Sequence, residues 1–298
     1  MKLGSNDISA VKIGSTDVNK IYIGITEVWS SFTGLLDDYP NAAAAYSLRQ
    51  LKSGVTNAIE VRIDTTGQPT YDIGFVDGEL DTATLEGYCT GGLDAYVTTW
   101  YDQSGNGNDA TQSTAASQPQ IVSSGSVILE NGKPAVQFDN TDDEFTISVP
   151  NDFFGLNDIT TAIVSKNASS SETGGLMQKR NAVLDGNFGI GLLNGKYQFQ
   201  TRDTGTGDLV LNTSSTYNTQ QIITNYRNSS GIYFNSPEVL SSLGTKADLT
   251  STGTFALGNG SSYGFFGVTI QETIIYLSDE SSNLSGIETN INDFYSIY

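Results

Sequence analysis

From residue 58 onward the sequence runs in short bursts of alternating apolar and polar residues, each closed by Gly, Asn, Ser or Asp. That pattern constrains the fold more than any other feature. A period of two places successive side chains on opposite faces of a strand, and turn residues at such close intervals leave no room for long helices. Ile59-Glu60-Val61-Arg62-Ile63 is the clearest case, with 96–100, 127–129 and 135–138 following. Further strands are expected at 160–165, 189–193, 197–201, 221–226, 231–234, 254–257 and 269–276. The chain has 298 residues, 37% of them hydrophobic, so it can bury a substantial core. These features predict an all-β fold, a two-sheet antiparallel sandwich or jelly roll.

Two stretches depart from the strand pattern. Asp37-Asp38-Tyr39-Pro40 precedes Asn41, four consecutive Ala, and then Tyr46, Leu48 and Leu51, which predicts a short helix over 41–51 with acids at its positive end. Leu284, Ile287, Ile291, Phe294 and Tyr298 have helical spacing, and Ser285 with Glu288 has the spacing of a capping box. A closing helix over 283–297 is expected. No linker-like segment interrupts residues 34–298, which are read as one domain.

Residues 1–33 form an appendage built on a ten-residue repeat. Lys2-Leu3-Gly4-Ser5-Asn6-Asp7-Ile8 recurs as Lys12-Ile13-Gly14-Ser15-Thr16-Asp17-Val18, and more loosely as Tyr22-Ile23-Gly24-Ile25-Thr26-Glu27-Val28. The expected structure is a short β meander, too small to hold itself together, packed on the body or docked on a partner or another copy. These decads resemble the Gly-turn repeats that open many tailed-phage structural proteins.

Charge and missing residues exclude several functions. Fourteen Lys plus Arg against 33 Asp plus Glu give −19, which repels nucleic acid and anionic membranes. No apolar run is long enough to cross a bilayer, and the opening residues are too polar for a secretory signal. With no His and one Cys there is no Ser-His-Asp triad, imidazole metal site or intrachain disulfide, and Cys89 reads as a small buried hydrophobe. Carboxylate chemistry and oxygen ligation of hard cations remain.

The most distinctive segment is Trp100-Tyr101-Asp102-Gln103-Ser104-Gly105-Asn106-Gly107-Asn108-Asp109. It reads as a structural turn in which Asp102 accepts from backbone amides, or as a calcium site of Asp102, Asn106, Asn108 and Asp109 without EF-hand spacing. Taken with Ala45-Tyr46-Ser47, Ile59-Glu60-Val61-Arg62, Asp72-Ile73-Gly74, the Cys89 segment and Asn131-Gly132-Lys133-Pro134-Ala135, it resembles the catalytic domain of the α-L-arabinofuranosidase B type of glycoside hydrolase. Leu257-Gly258-Asn259-Gly260-Ser261-Ser262 and Phe265-Phe266-Gly267 extend the likeness toward the C-terminus.

The resemblance implies a concanavalin-like jelly roll. It also implies a Glu nucleophile and an Asp acid/base, but the matching positions hold Gln178, in Gly175-Leu176-Met177-Gln178, and Asn259. Amides cannot do that work. Glu172 and Asp185 are the alternative carboxylates nearby. The family's disulfide is absent, with Asp94-Ala95 where a partner for Cys89 belongs. The closing stretch from Ile270 to Tyr295 resembles the strand-and-helix endings of laminin-G-like modules in phage and marine bacterial surface proteins. Within it, Glu272 and Glu288 are assigned to solvated faces.

The expected function is that of a non-enzymatic phage virion surface protein: a head or tail fibre, decoration or adhesin. It would be held to other virion proteins through residues 1–33, form a homo-oligomer and need no cofactor, with calcium as the one candidate. Host glycan is a further expected partner, bound by Trp100, Tyr101, Asp102, Gln178, Asn259 and Tyr263. The alternative is an active arabinofuranosidase-like hydrolase.

Overall fold

The computed structural model describes residues 2–3, 6–7, 11–13, 16–18, 20–23, 26–30, 32–167, 173–180, 187–193, 196–202, 209–214, 218–234, 239–241, 248–258, 265 and 267–298. Gly267–Tyr276, with ten residues, organises the first sheet. On one side it pairs with Ile159–Asn167, followed by Gln221–Asn228, Gly231–Phe234 and Val239–Ser241. On its other side two short strands lie end to end, Ala44–Ser47 and Val136–Asp139.

The second sheet runs from Thr70–Val76 through Asn57–Ile63, Ala95–Trp100, Ala110–Thr111 and Phe145–Ile147. It continues through Thr254–Leu257, Gly174–Arg180, Asn187–Leu193 and Lys196–Arg202 to Leu209–Ser214. Gln120–Ser123 pairs with both Ala95–Trp100 and Val136–Asp139 and so joins the sheets along one side. All these pairings are antiparallel, and the expected all-β sandwich is what forms.

Period-two burial fills the space between the sheets. Ile59, Val61 and Ile63 face Trp100, Phe138 and Phe145, whose rings meet edge-on at 6.2 and 5.9 Å. A second apolar layer covers part of the first sheet's outer face: Leu35, Leu36, Ala162, Val164 and Ile274 pack under Ile287, Ile291 and Tyr295 of the closing helix, Leu284–Tyr295. Ile159–Asn167 is therefore buried on both faces, which is why its sequence runs apolar with Thr instead of alternating with charge.

Several expectations are corrected. Residues 41–51 hold the strand Ala44–Ser47 and no helix; a single helical turn precedes them at Leu35–Asp38. Ala44 and Tyr46 face the central core and Ala45 the outer layer, so small side chains let a strand be buried on both sides, and that packing outweighs alanine's helix preference. A helix at Thr82–Tyr88, capped by Asp81 and ending at the free, buried Cys89, was not expected. The closing helix begins after Asn283 without a side-chain cap, and Glu288 accepts from the Thr224 hydroxyl (2.6 Å).

Glu272 is wholly buried rather than solvated. Arg49 grips it with two hydrogen bonds, of 2.7 and 2.9 Å. Ser47 and Tyr295 hydroxyls donate to it as well, and Arg49 reaches Asn290 on the closing helix at 2.8 Å.

Each N-terminal decad forms its own hairpin rather than one strand of a meander: Lys2–Leu3 with Asn6–Asp7, Val11–Ile13 with Thr16–Val18, and Lys20–Ile23 with Thr26–Ser30. Among the described residues, strand pairing joins no hairpin to the next or to the sandwich. No described helix is long and apolar enough to cross a membrane.

Candidate functional site

One line of strand register crosses the place where the sheets join. Arg62, Tyr96, Gln120, Gln137, Thr269 and Lys166 are successive Cα partners on six adjacent strands. Register partners share a face. Their neighbours Val61, Val97, Ile121, Phe138 and Val268 enter the core, so this row faces outward. The closing helix covers a different part of the first sheet, over Ala162, Val164 and Ile274.

Two depressions lie along the row. The first, of about 310 Å³, is lined by Arg62, Tyr96, Gln118, Gln120 and Gln137 together with Asp64, Asp139 and Asp143. The second, of about 210 Å³, is lined by Gln137, Lys166, Asn218, Thr269 and Glu130. Gln137 borders both.

The first depression is rigidly built. The Arg62 guanidinium lies 4.8 Å from the Tyr96 ring centroid. Its nitrogens donate to Gln118 Oε1 (2.7 Å), Asp64 Oδ1 (3.2 Å) and the Ala115 carbonyl (3.3 Å). A stacked, triply bonded guanidinium fixes the ring plane. Opposite stand Asp139, Asp142 and Asp143, each with a carboxylate oxygen within 4.8 Å of the others. Asp143 accepts from the Asp139 amide and Asp139 from the Thr141 and Asp142 amides within their turn, and the Ser117 hydroxyl ties Asp142 to the neighbouring segment. Burial, and then the Asp139 charge, push the Asp143 carboxyl up to about 7.

In the second depression Lys166 pairs with Glu130 at 2.9 Å. Gln271 donates to the carbonyls of Glu130, Lys133 and Pro134 and fixes that wall. Thr269 is 7% exposed, and its hydroxyl has no partner among the described residues.

The residues expected to bind ligand do not converge on this row. Trp100 was expected to offer an exposed face; it is 0% exposed, in the core between Tyr46 and Phe145. Tyr101 is half-buried, and its hydroxyl donates to Asp72 at 2.6 Å. The Asp102 carboxylate accepts four hydrogen bonds, from the Ala45, Ser104 and Asn108 amides and the Ser104 hydroxyl. Asp109 accepts from the Asp102 amide, while Asn106 and Asn108 donate to the Ala43 carbonyl. The oxygens considered for calcium at Asp102 and Asp109 are thus turned to protein donors. Gln103, fully buried, bonds the Leu51 amide and the Ser47 and Arg49 carbonyls, so the whole segment clamps strand Ala44–Ser47.

Gln178 is buried on Gly174–Arg180 with register partners Gly189 and Ala256, on strands that do not carry the row. Asn259, Tyr263, Glu172 and Asp185 lie outside the described residues. The row itself escaped the sequence reading. Its members are the polar positions of strands far apart in the chain, and only their alternation with core residues marks them as outward.

No protein-family model and no curated protein matches the chain. Solved structures do. One is an arabinofuranosidase complexed with arabinofuranosyl-α-1,2-xylobiose, with a TM-score of 0.51 and 16% identity over 84% of this chain and 62% of that one. Another is a GH54 α-L-arabinofuranosidase soaked with a cyclic sulfate inhibitor, with a TM-score of 0.56 at the same identity and coverage. The likeness shows a shared fold. The chain spans about 62% of the length of those enzymes. The binding domain of Paraclostridial Mosquitocidal Protein 1 aligns at a TM-score of 0.49 and 13% identity, over 80% of this chain and 52% of that one.

Proposed function

We propose that the chain is a carbohydrate-binding β-sandwich without glycosidase activity, carried on a virion surface through residues 1–33. The observation that carries the binding reading is the Tyr96 depression. It combines an aromatic ring fixed by Arg62, the amides of Gln118, Gln120 and Gln137, and carboxylates in a single concavity. Sugars offer apolar C–H faces edged by hydroxyls, and rings flanked by planar amides and carboxylates match both. The arabinofuranosidase-like fold supports this by analogy alone. The virion setting rests on the decad hairpins, small units that need a partner surface, and many copies on a particle would turn weak binding into avidity.

A hydrolytic reading has one observation in its favour: Asp143, raised to about 7, stands beside Asp139 and Asp142, and a carboxyl that keeps its proton near neutral pH is what a glycosidase's general acid requires. Against it, each carboxylate of the cluster already accepts a hydrogen bond, Asp139 and Asp143 from amides of their own turn and Asp142 from Ser117, and the positions matched to the family's catalytic pair are Gln178 and Asn259. A glycan array probed with multivalent protein, run beside a reducing-sugar assay, separates the two. Binding that Tyr96→Ala abolishes, with no sugar released, is the expected result. Sugar release lost in Asp143→Asn establishes the hydrolase, and no signal in either assay removes the carbohydrate reading. Mass spectrometry of purified particles tests the virion assignment independently.

A further inference from the structure

Resting on the carbohydrate reading, we infer that the two depressions are subsites of one groove, which takes an uncharged linear polysaccharide segment laid across the strands rather than a single terminal sugar. The groove follows the register row from Arg62 to Lys166. Five strand-to-strand steps give it a length of about 24 Å. That is the reach of an oligosaccharide of several residues and far exceeds one ring. Gln137 is exposed and lines both depressions, so a chain leaving the Tyr96 end enters the Thr269 end over its amide.

The second depression has polar groups of its own: Asn218, Thr269 and the Lys166–Glu130 pair are among its lining. Charge sets the ligand class. Asp64, Asp139, Asp143 and Glu130 line the groove, and among the described residues its two cations are already committed, Arg62 to Asp64 and Gln118, Lys166 to Glu130. Uronate or sulfated chains would meet carboxylates without a free cation in return.

Isothermal titration with a size series of neutral oligosaccharides, drawn from a glycan positive on the array, tests this. Affinity is expected to rise at least tenfold between the disaccharide and the hexasaccharide. Gln120→Ala, in the first depression, and Asn218→Ala, in the second, are each expected to weaken the hexasaccharide severalfold, while only one of them affects the disaccharide. Equal affinity for both lengths, or an Asn218→Ala protein that binds the hexasaccharide as the wild type does, overturns the single groove while leaving carbohydrate binding intact. Tighter binding of a uronate hexamer than of the neutral one overturns the ligand class. Failure of every saccharide to bind removes the underlying reading instead.

Discussion

At the scale of single residues, Trp100 and Asp102, which look functional in the sequence, are engaged within the fold. Trp100 fills the core, so Trp100→Ala should cost about 3–5 kcal/mol in chemical denaturation and weaken any ligand only as far as the fold weakens. Tyr96→Ala is the informative contrast, expected to keep the melting temperature near that of the wild type while losing the ligand. Asp143 gives the stability curve a sign. Its folded carboxyl holds a proton up to about 7 against an ordinary value of 3.8, so the folded state binds a proton that the unfolded state has released. Stability therefore falls as the pH rises from about 4 to about 7, by roughly 2–4 kcal/mol from this group. Asp143→Asn should flatten that slope in thermal melts taken across the window. An unchanged slope would place the proton elsewhere.

At the scale of elements, alternation made most strands legible. Gly231–Phe234 and Thr254–Leu257 fall where the sequence puts them, and the closing helix within two residues at each end. Strands buried on both faces were harder, because without alternation Ala42 to Tyr46 reads as helix. Gly174–Arg180, with two glycines and no clean period, offered no strand signal at all. Register lies beyond a single sequence, and the candidate groove is a product of register. Glu272 misled for a related reason: a lone acid in an apolar strand reads as solvated until its partner Arg49, 223 residues away, is brought beside it. Arg49→Ala leaves that charge buried and unpaired, a loss of about 3–5 kcal/mol. Because Arg49 also holds Asn290, the closing helix should lose amide-exchange protection before the sheets do. Simultaneous loss across the whole sandwich would show that the helix is not a separable layer.

At the scale of the whole molecule, a closed sandwich with its own two-layer core carries three hairpins that no strand pairing ties to it among the described residues. Removing residues 1–30 should leave the melting temperature of the body within a few degrees of the full chain and abolish assembly. A large drop would put the repeat in the core. The central claim, that the outward row binds sugar without cleaving it, is tested most directly by an amide NMR titration of the full chain with a neutral oligosaccharide, followed for a day. The account predicts shifts concentrated at Arg62, Tyr96, Gln120 and Gln137, with the sugar's own signals unchanged over time. Shifts centred on Gln178, or the appearance of a new reducing-end signal, would contradict it.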